Sequence, residues 1–319
     1  HGLPLMGTGD WNDGMDRIGE KGRGESIWLA WFQIATVGLF APLAIAAGHP
    51  DDAERWQAHA TSLQKAIAEN AWDGDWFVRA FDDDGLPWGS KTNDACQIDL
   101  IAQAWSVLFG NNPDDRARKA LQSARRHLVD TDARLIRLLT PPFDQADRDP
   151  GYIQAYPPEI RENGGQYTHA ATWLGVAYVA VQDGDKAHEV FDLINPIRRS
   201  ASMTDADRYK REPYVLAGDV SGATSRVGQG GWSWYTGSAS WMWQLGVEGI
   251  LGIKPEAGAI RIEPCLPTGW PAVQITLDGD QGRIDVLIER DDRLRDTETQ
   301  VTIDCLLYTS DAADEVSPV

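Results

Sequence analysis

The 319-residue sequence is poor in cysteine, in basic residues and in long uninterrupted apolar runs. Its three cysteines, Cys96, Cys265 and Cys305, are odd in number and far apart. They supply neither a disulfide framework nor a zinc-ligand cluster, so a reducing compartment is expected and no metal or cofactor site is. Lys and Arg number 29 against 48 Asp and Glu, a formal net charge of −19. That field repels a phosphate backbone and excludes a general nucleic-acid binder. The longest apolar-rich stretch, Val37–Ala47, is interrupted by Pro42, and no run is expected to reach the roughly 18 residues that span a bilayer. Direct membrane contact from this segment is therefore not expected. The opening His1-Gly2-Leu3-Pro4 has no secretory-signal pattern. It reads as part of a longer cytoplasmic chain, whose parent is left open between a soluble enzyme and an inner-membrane protein.

What is abundant is tryptophan, 14 residues against 7 Phe and 8 Tyr. Indole fills cores, and its flat face with a single N–H donor also suits the faces of sugar rings. With 42% hydrophobic and 24% charged residues the chain is globular, and its length allows one large domain or two ordinary ones.

Periodicity predicts a row of helices. Over 25–47 the residues Ile27, Trp28, Trp31, Phe32, Ala35 and Leu39 recur at three and four positions, and Gly48-His49-Pro50 stops the pattern. Asp51 or Asp52 is expected to cap the next helix, which carries Ala53, Trp56, Leu63 and Ile67 to about Asn70. A strand-like segment, Trp76–Phe81, precedes the turn Asp82–Gly85. Helices are expected again over 97–108, 113–128, 168–181, 184–194 and 237–251, with long irregular stretches at 140–166 and 195–234. Apolar helices alternate with amphipathic ones. This fits an inner and an outer ring, an α/α toroid whose long loops gather at one end and carry function. From about Lys254 the period becomes two, in Ile260–Glu263, Val273–Leu277 and Arg283–Ile288, which predicts a small antiparallel β domain packed on the helices. The expected fold class is mainly α, with residues 1–253 helical, 254–304 a β domain and 305–319 a non-native tail, because the sequence from Cys305 breaks the preceding pattern.

Three irregular segments carry chemistry. Gly7–Met15 places Asp10, Trp11, Asn12 and Asp13 between glycines that permit tight turns. A carboxyl desolvated beside an indole can serve as a general acid, while an Asx turn with capping carboxylates has the same spacing. Arg161–His169 precedes a helix, with Thr168 near its N-cap and His169 in its first turn. His169 could donate to an anion there, or be a core histidine bonded to a carbonyl. Gly228–Ser238 leads into another helix, and its backbone N–H groups with the hydroxyls of Thr236 and Ser238 would form an anion cradle. Trp241 and Trp243 are expected in the core. Residues 209–214 either reach a sugar hydroxyl or brace a loop. Asp94, Gln97 and Asp99 are expected to cap the following helix.

Taken together, Leu3–Met15, Gly24–Phe32, Arg161–His169, Glu212–Val215 and Trp232–Gly237 resemble glycoside hydrolase family 94, the inverting glycoside phosphorylases, over residues 1 to about 290. The resemblance implies a partial (α/α)6 barrel (toroid) followed by a small antiparallel β-sandwich domain. It implies Asp13 as the general acid, and His169, Thr236 and Gly237 as phosphate contacts. Trp11, Asp10, Glu162, Gln166, Tyr167 and Asp219 are the substrate-binding candidates, with Trp11 at a sugar subsite and Glu162 on the acceptor sugar. Where cellobiose- and chitobiose-type members carry Gln after the Glu-Pro-Tyr motif, this chain has Gly218-Asp219, which points to the β-1,2-glucan branch. The implied reaction needs no cofactor beyond inorganic phosphate as co-substrate. Phosphate attacks the anomeric carbon while Asp13 protonates the departing oxygen, giving α-glucose 1-phosphate. No general base is required, whereas an inverting hydrolase needs a second carboxylate about 6.5–9.5 Å away. The partners implied are a β-glucan oligosaccharide and phosphate, with a homodimer left open. The alternatives are an inverting β-glucan hydrolase and a non-catalytic carbohydrate-binding domain of a synthase. The family also places an Arg and an Asp of its sugar subsite upstream of the Asp-Trp-Asn-Asp motif, so this segment alone is expected to be poorly active or inactive.

Overall fold

The computed structural model describes residues 1–108, 114–144, 146–256, 258–279, 282–291, 301–303 and 306–308. The chain is mainly helical. Its principal helices are α1 (Ile27–Ala46), α2 (Pro50–Asn70), α3 (Leu100–Leu108), α4 (Asp115–Leu128), α5 (Thr168–Ala180) and α6 (Gly184–Ile194). Two short helices, α7 (Pro196–Arg199) and α8 (Met203–Tyr209), interrupt the second stretch expected to be irregular. The helix α9 (Thr236–Trp243) runs on into a wider π-helical segment, Gln244–Ile250, where the periodicity predicts one continuous helix. The apolar helices α1, α3, α5 and α9 pack side by side in that order, and α2, α4 and α6 each pack outside their apolar partner.

Tryptophan fills the seam between the inner helices. Trp173 of α5 lies 5.1 Å from Trp105 of α3, 6.4 Å from Trp28 of α1 and 5.9 Å from Trp241 of α9, measured between ring centres. Each such ring removes a large apolar area from water and adds edge or offset contacts, each worth about 0.5–1.5 kcal/mol beyond burial. Trp243 departs from its expected core position, being 54% exposed.

Helix α1 corrects two expectations. Its buried residues are Ile27, Trp28, Ala30, Ile34, Ala35 and Ala41, while Phe32 and Leu39 of the predicted inward face are exposed. It is apolar all round, so periodicity cannot choose a face. It is also 20 residues long with a mean hydropathy of 1.8, long and apolar enough to cross a membrane by length and composition. Pro42 sits inside it without ending it. Helix α2 starts one step earlier than expected. His49 is the N-cap without a side-chain bond, Pro50 fills the first turn, and Asp51 and Asp52 act only as first-turn charges. Helix α4 is capped by Asp114, whose carboxylate accepts from Ala117 N.

The strands are short. Of Trp76–Phe81, Ala80–Phe81 forms a strand, with Glu25–Ser26 on one side and Pro87–Trp88 on the other, and Phe77 makes a single bridge to Trp72. Helix α3 starts at Leu100 instead of Gln97, because Ile98–Asp99 pairs with Leu139–Thr140. Asp99 is the expected residue that bonds the helix start, accepting from Ile101 N. Beyond α9 the period-two segments form two separate hairpins, Ile253–Glu256 with Ala259–Ile262 and Ala272–Gly279 with Gly282–Glu289. The connection between them docks on α6, where Thr268 donates to Asp185 and the Cys265–Leu266 carbonyls close on Gly184. Within the predicted tail, Leu306–Tyr308 pairs with Val301–Ile303, and the rest lies outside the described residues. So do Asn111, Asn112 and Pro113 of the expected break before α4.

Candidate active site

The first loop is fixed by a buried guanidinium. Arg79 is fully buried and grips Asp10 with two hydrogen bonds, Nη1 to Oδ2 at 2.7 Å and Nη2 to Oδ1 at 2.6 Å. The Ser26 hydroxyl donates to the same carboxylate at 2.6 Å and caps α1 by accepting from Leu29 N. Burial opposes charge on Asp10, but the Arg79 charge and hydrogen bonds outweigh it and hold the carboxyl below its usual range. Both Asp10 oxygens are buried and bonded within the protein, where a substrate contact is expected of them. The backbone then turns through two Asx bonds, Asn12 N to Asp10 Oδ1 and Gly14 N to Asn12 Oδ1. The Asx turn is therefore present, with Asn12 buried, and Asp13 emerges into solvent instead of being desolvated against the Trp11 indole as expected. The desolvated carboxyl of the neighbourhood is not Asp13 but Asp99. Its Oδ2 lies 3.5 Å from Arg79 Nε, and burial pushes its pKa up to about 6.

Trp11 joins this loop to the second segment. Its indole N–H donates to His169 Nδ1 at 3.3 Å, and its ring meets Tyr167 edge-on at 5.2 Å. Gln166 and Tyr167 pair with Val220 and Asp219 in a two-residue ladder, and alternation sends their side chains to opposite faces. Gln166 turns into the core. Its Oε1 accepts from Ile136 N and Arg199 Nη2, and its Nε2 donates to Thr168 Oγ1, so in this structure its amide is engaged within the protein. Tyr167 faces the opening, and its hydroxyl is pushed up to about 12 by burial and by the nearby Glu162 charge. Glu162 is paired with its neighbour Arg161 at 3.2 Å. The Tyr152 hydroxyl is raised first by burial and then by the charges of Asp13, Tyr156 and Glu162.

The third segment is laced to the second through residues 218–220. Thr168 N donates to Gly218 O, Gly218 N to Trp232 O, and Val220 bridges Gly230. Asp219 is buried, accepts from Trp232 N, and is pushed up by burial. A Cβ on Gly231 would sit 2.2 Å from its carboxylate. Asp219 thus braces the Gly-rich loop instead of facing the opening. Tyr209 braces likewise, its hydroxyl donating to Val215 O and accepting from Ala217 N.

Tyr167, His169, Trp234, Tyr235, Thr236, Gly237 and Ser238 line one cleft of about 310 Å³. His169 Nδ1 accepts from Trp11, so in the neutral ring the proton sits on Nε2, a buried donor with no protein partner. Burial pulls the His169 pKa down to about 4, which keeps the ring neutral at physiological pH. Opposite it, Thr236, Gly237 and Ser238 form the first turn of α9, whose leading N–H groups have no intrahelical acceptor. A Cβ on Gly237 would meet nothing, so its bare backbone stays open to a ligand. The phosphate candidates His169, Thr236 and Gly237 therefore share one cleft. Asp13 does not line it but adjoins it through Trp11. Sequence reasoning missed Arg79 and Tyr152, and singled out the segment of Trp234 and Tyr235 without naming either as a site residue. Arg79 left a signal of its own, a lone cation inside the apolar run Trp76–Phe81.

Residues 1–252 match the family described as "Glycosyl hydrolase 94 superfamily, catalytic domain". The chain is 45% identical over 288 residues to the cyclic beta-(1,2)-glucan synthase NdvB of Rhizobium meliloti (strain 1021), covering 90% of this chain and 10% of that protein. It is 32% identical over 272 residues to the solabiose phosphorylase of Paenibacillus borealis, covering 85% of this chain and 35% of that one. It is 27% identical over 279 residues to a cellobionic acid phosphorylase of Neurospora crassa, again 35% of the relative's length. The chain thus spans about a tenth to a third of the relatives it matches. Because the matched span runs from the Asp-Trp-Asn-Asp loop through the last inner helix, and so contains all three segments of the cleft, the chain belongs to the glycosyl hydrolase 94 superfamily.

Proposed function

We propose that this chain carries the phosphate-binding side and the acid of an inverting glycoside phosphorylase acting on β-glucans, with β-1,2-linked chains as substrate, as part of a larger glucan-building or glucan-degrading protein. Its helical layers are a sector of an (α/α)6 barrel, and the strands beyond residue 253 belong to an accompanying β-sandwich. Phosphate sits between the His169 Nε2–H and the first turn of α9. One of its oxygens forms the new bond to the anomeric carbon as the glycosidic carbon–oxygen bond breaks on the opposite face. Asp13, protonated, delivers its proton to the departing oxygen. The anomeric centre inverts, so a β-glucoside gives α-glucose 1-phosphate. Phosphate is already an anionic nucleophile, which removes the need for a second carboxylate to activate water. Glu162, beside Tyr167, receives the acceptor sugar, and Trp11 holds the acid loop against the phosphate cleft.

The observation that carries this reading is the His169 ring. One nitrogen is fixed as acceptor by the Asp13 loop, and the other is a buried, unpartnered donor in the cleft shared with the α9 N-terminus. A neutral donor and backbone amides can bind an anion despite the chain's net charge of −19. Because the chain spans only part of its relatives, phosphate binding is the first readout and turnover the second. Calorimetric titration with inorganic phosphate should show binding that weakens about tenfold or more in His169→Ala, the scale of one hydrogen bond to a charged group. Binding unaffected by that change defeats the proposal. Sugar release that continues undiminished after phosphate is removed favours the hydrolase instead.

A further inference from the structure

Beside the cleft the chain exposes large aromatic rings whose contacts within the fold leave most of their surface in water. Trp234 lines the cleft yet is 67% exposed. Its φ is +66°, the left-handed region that a bulky side chain avoids. Backbone strain of this kind persists only where surrounding contacts impose it, and it clusters at ligand sites. Here the imposing contact is polar: the indole N–H donates to Glu212 Oε1 at 3.1 Å, while Tyr214 packs at 6.4 Å against the ring. The result is a large apolar face held still in water. Beyond the cleft lining Trp232, also exposed, lies nearly parallel to the lining residue Tyr235, at 6.3 Å and 27°, with the Arg161 guanidinium 5.9 Å from its ring centre. Tyr235 in turn rests on bare backbone, since a Cβ on Gly218 would lie 2.3 Å from its ring.

We propose that Trp234 and Trp232, steadied by Glu212 and Arg161, form a stacking strip for the glucosyl units of a β-glucan chain that lie beyond the bond being broken. The inference rests on the phosphorylase reading for its direction, because the strip continues from the phosphate cleft through Trp234 and Tyr235. The chemistry is that of a pyranose ring. Its axial C–H face covers an indole, and its equatorial hydroxyls reach a carboxylate and a guanidinium at the rim. Rings flanked by a carboxylate and a guanidinium, and joined to the phosphate cleft through Trp234 and Tyr235, match the apolar faces and hydroxyl rims of successive sugar units. The proposed occupant is therefore an oligosaccharide, and its affinity should grow with length.

The test titrates the 319-residue chain with linear β-1,2-glucooligosaccharides of two, three and five units, each with and without phosphate, by calorimetry. The wild-type chain should gain about tenfold in affinity from two units to five, the scale of one or two stacking contacts. Trp234→Ala and Trp232→Ala should each flatten that gain, Trp232→Ala while leaving disaccharide and phosphate affinity within about twofold, and Trp234→Phe should restore part of it. If Trp234→Ala unfolds, Tyr214→Ala and Glu212→Gln, which loosen the same ring, take its place. A wild-type chain with no length dependence, or alanine variants that keep it, overturns the proposal. So does a change in sedimentation in these variants without a change in glucan affinity, which would assign the rings to contact between copies. Failure of the phosphate reading looks different: phosphate affinity is absent or insensitive to His169→Ala, while the length dependence still vanishes with Trp234.

Discussion

Replacing Arg79 with Met removes the cation paired with both Asp10 and Asp99, whose side chains are 0% and 1% exposed. Met keeps most of the volume, so the loss is electrostatic. Two outcomes compete. Either Asp10 stays charged and unpaired, which costs about 3–5 kcal/mol for a broken buried pair, or it takes a proton. From its ordinary pKa of 3.8, protonation at pH 7 costs about 4 kcal/mol, at about 1.4 kcal/mol per unit, and at pH 5 about 1.5 kcal/mol. The cheaper route sets the loss, so Arg79→Met should be destabilised by about 4 kcal/mol at pH 7 and about 1.5 kcal/mol at pH 5. The sign follows from the folded-state shift. In the wild type Asp10 is depressed, so its contribution is complete above pH 3.8 and is lost only below that. In the variant its folded pKa is raised, so stability is lost as pH climbs through it, and Asp99 adds to the same slope. Urea denaturation at several values between about pH 5 and 8 measures this directly from the midpoint and slope. Asp10→Asn in the Arg79→Met background should recover part of the loss at pH 7 and remove most of its pH dependence. A loss under about 1 kcal/mol at pH 7, or one independent of pH, refutes the argument that this cluster holds the Asp13 loop.

Sulfate, whose charge does not change over the range, should bind the cleft with the same affinity between about pH 5.5 and 8, because a His169 pulled down to about 4 stays neutral throughout. An inflection near the ordinary histidine value would mean that the ring binds as a cation. Gly218→Ala should cost about 1–3 kcal/mol by driving its methyl into Tyr235, and Tyr235→Ala in the same chain should relieve most of that in thermal unfolding. Leu43, 62% exposed on α1, should accept Gln within about 0.5 kcal/mol. A larger loss in urea would show that this apolar face is packed.

How much of this was legible in the sequence depends on whether local or distant residues decide each feature. Helix α6 falls on its predicted span because Asp183 caps it, its carboxylate accepting from Lys186 N, and its apolar residues keep a single face. The Val273–Leu277 and Arg283–Ile288 strands pair as their alternation implies. By contrast α1 is apolar on every side, so which residues it buries is decided by α2 and α3, not by its own period. The chemistry behaves the same way. Asp10 and Asp13 sit in one motif with near-identical local surroundings, and their roles are separated only by Arg79, 69 positions further on. Gln166 and Tyr167 are likewise adjacent, and a two-residue ladder with 219–220 sends one to the core and the other to the cleft. A strand that short has no pattern to read. The motif therefore points to the acid and the anion cradle proposed above, while the pairings that orient these residues are tertiary. This is why the tightest structural demands fall on residues that the motif reading undervalued. Arg79 must bury a charge to turn Asp10 inward, and only then does the Asx turn present Asp13 outward beside Trp11, whose indole in turn selects the His169 tautomer. Removing any one of these three couplings should misplace the acid or the donor without touching either.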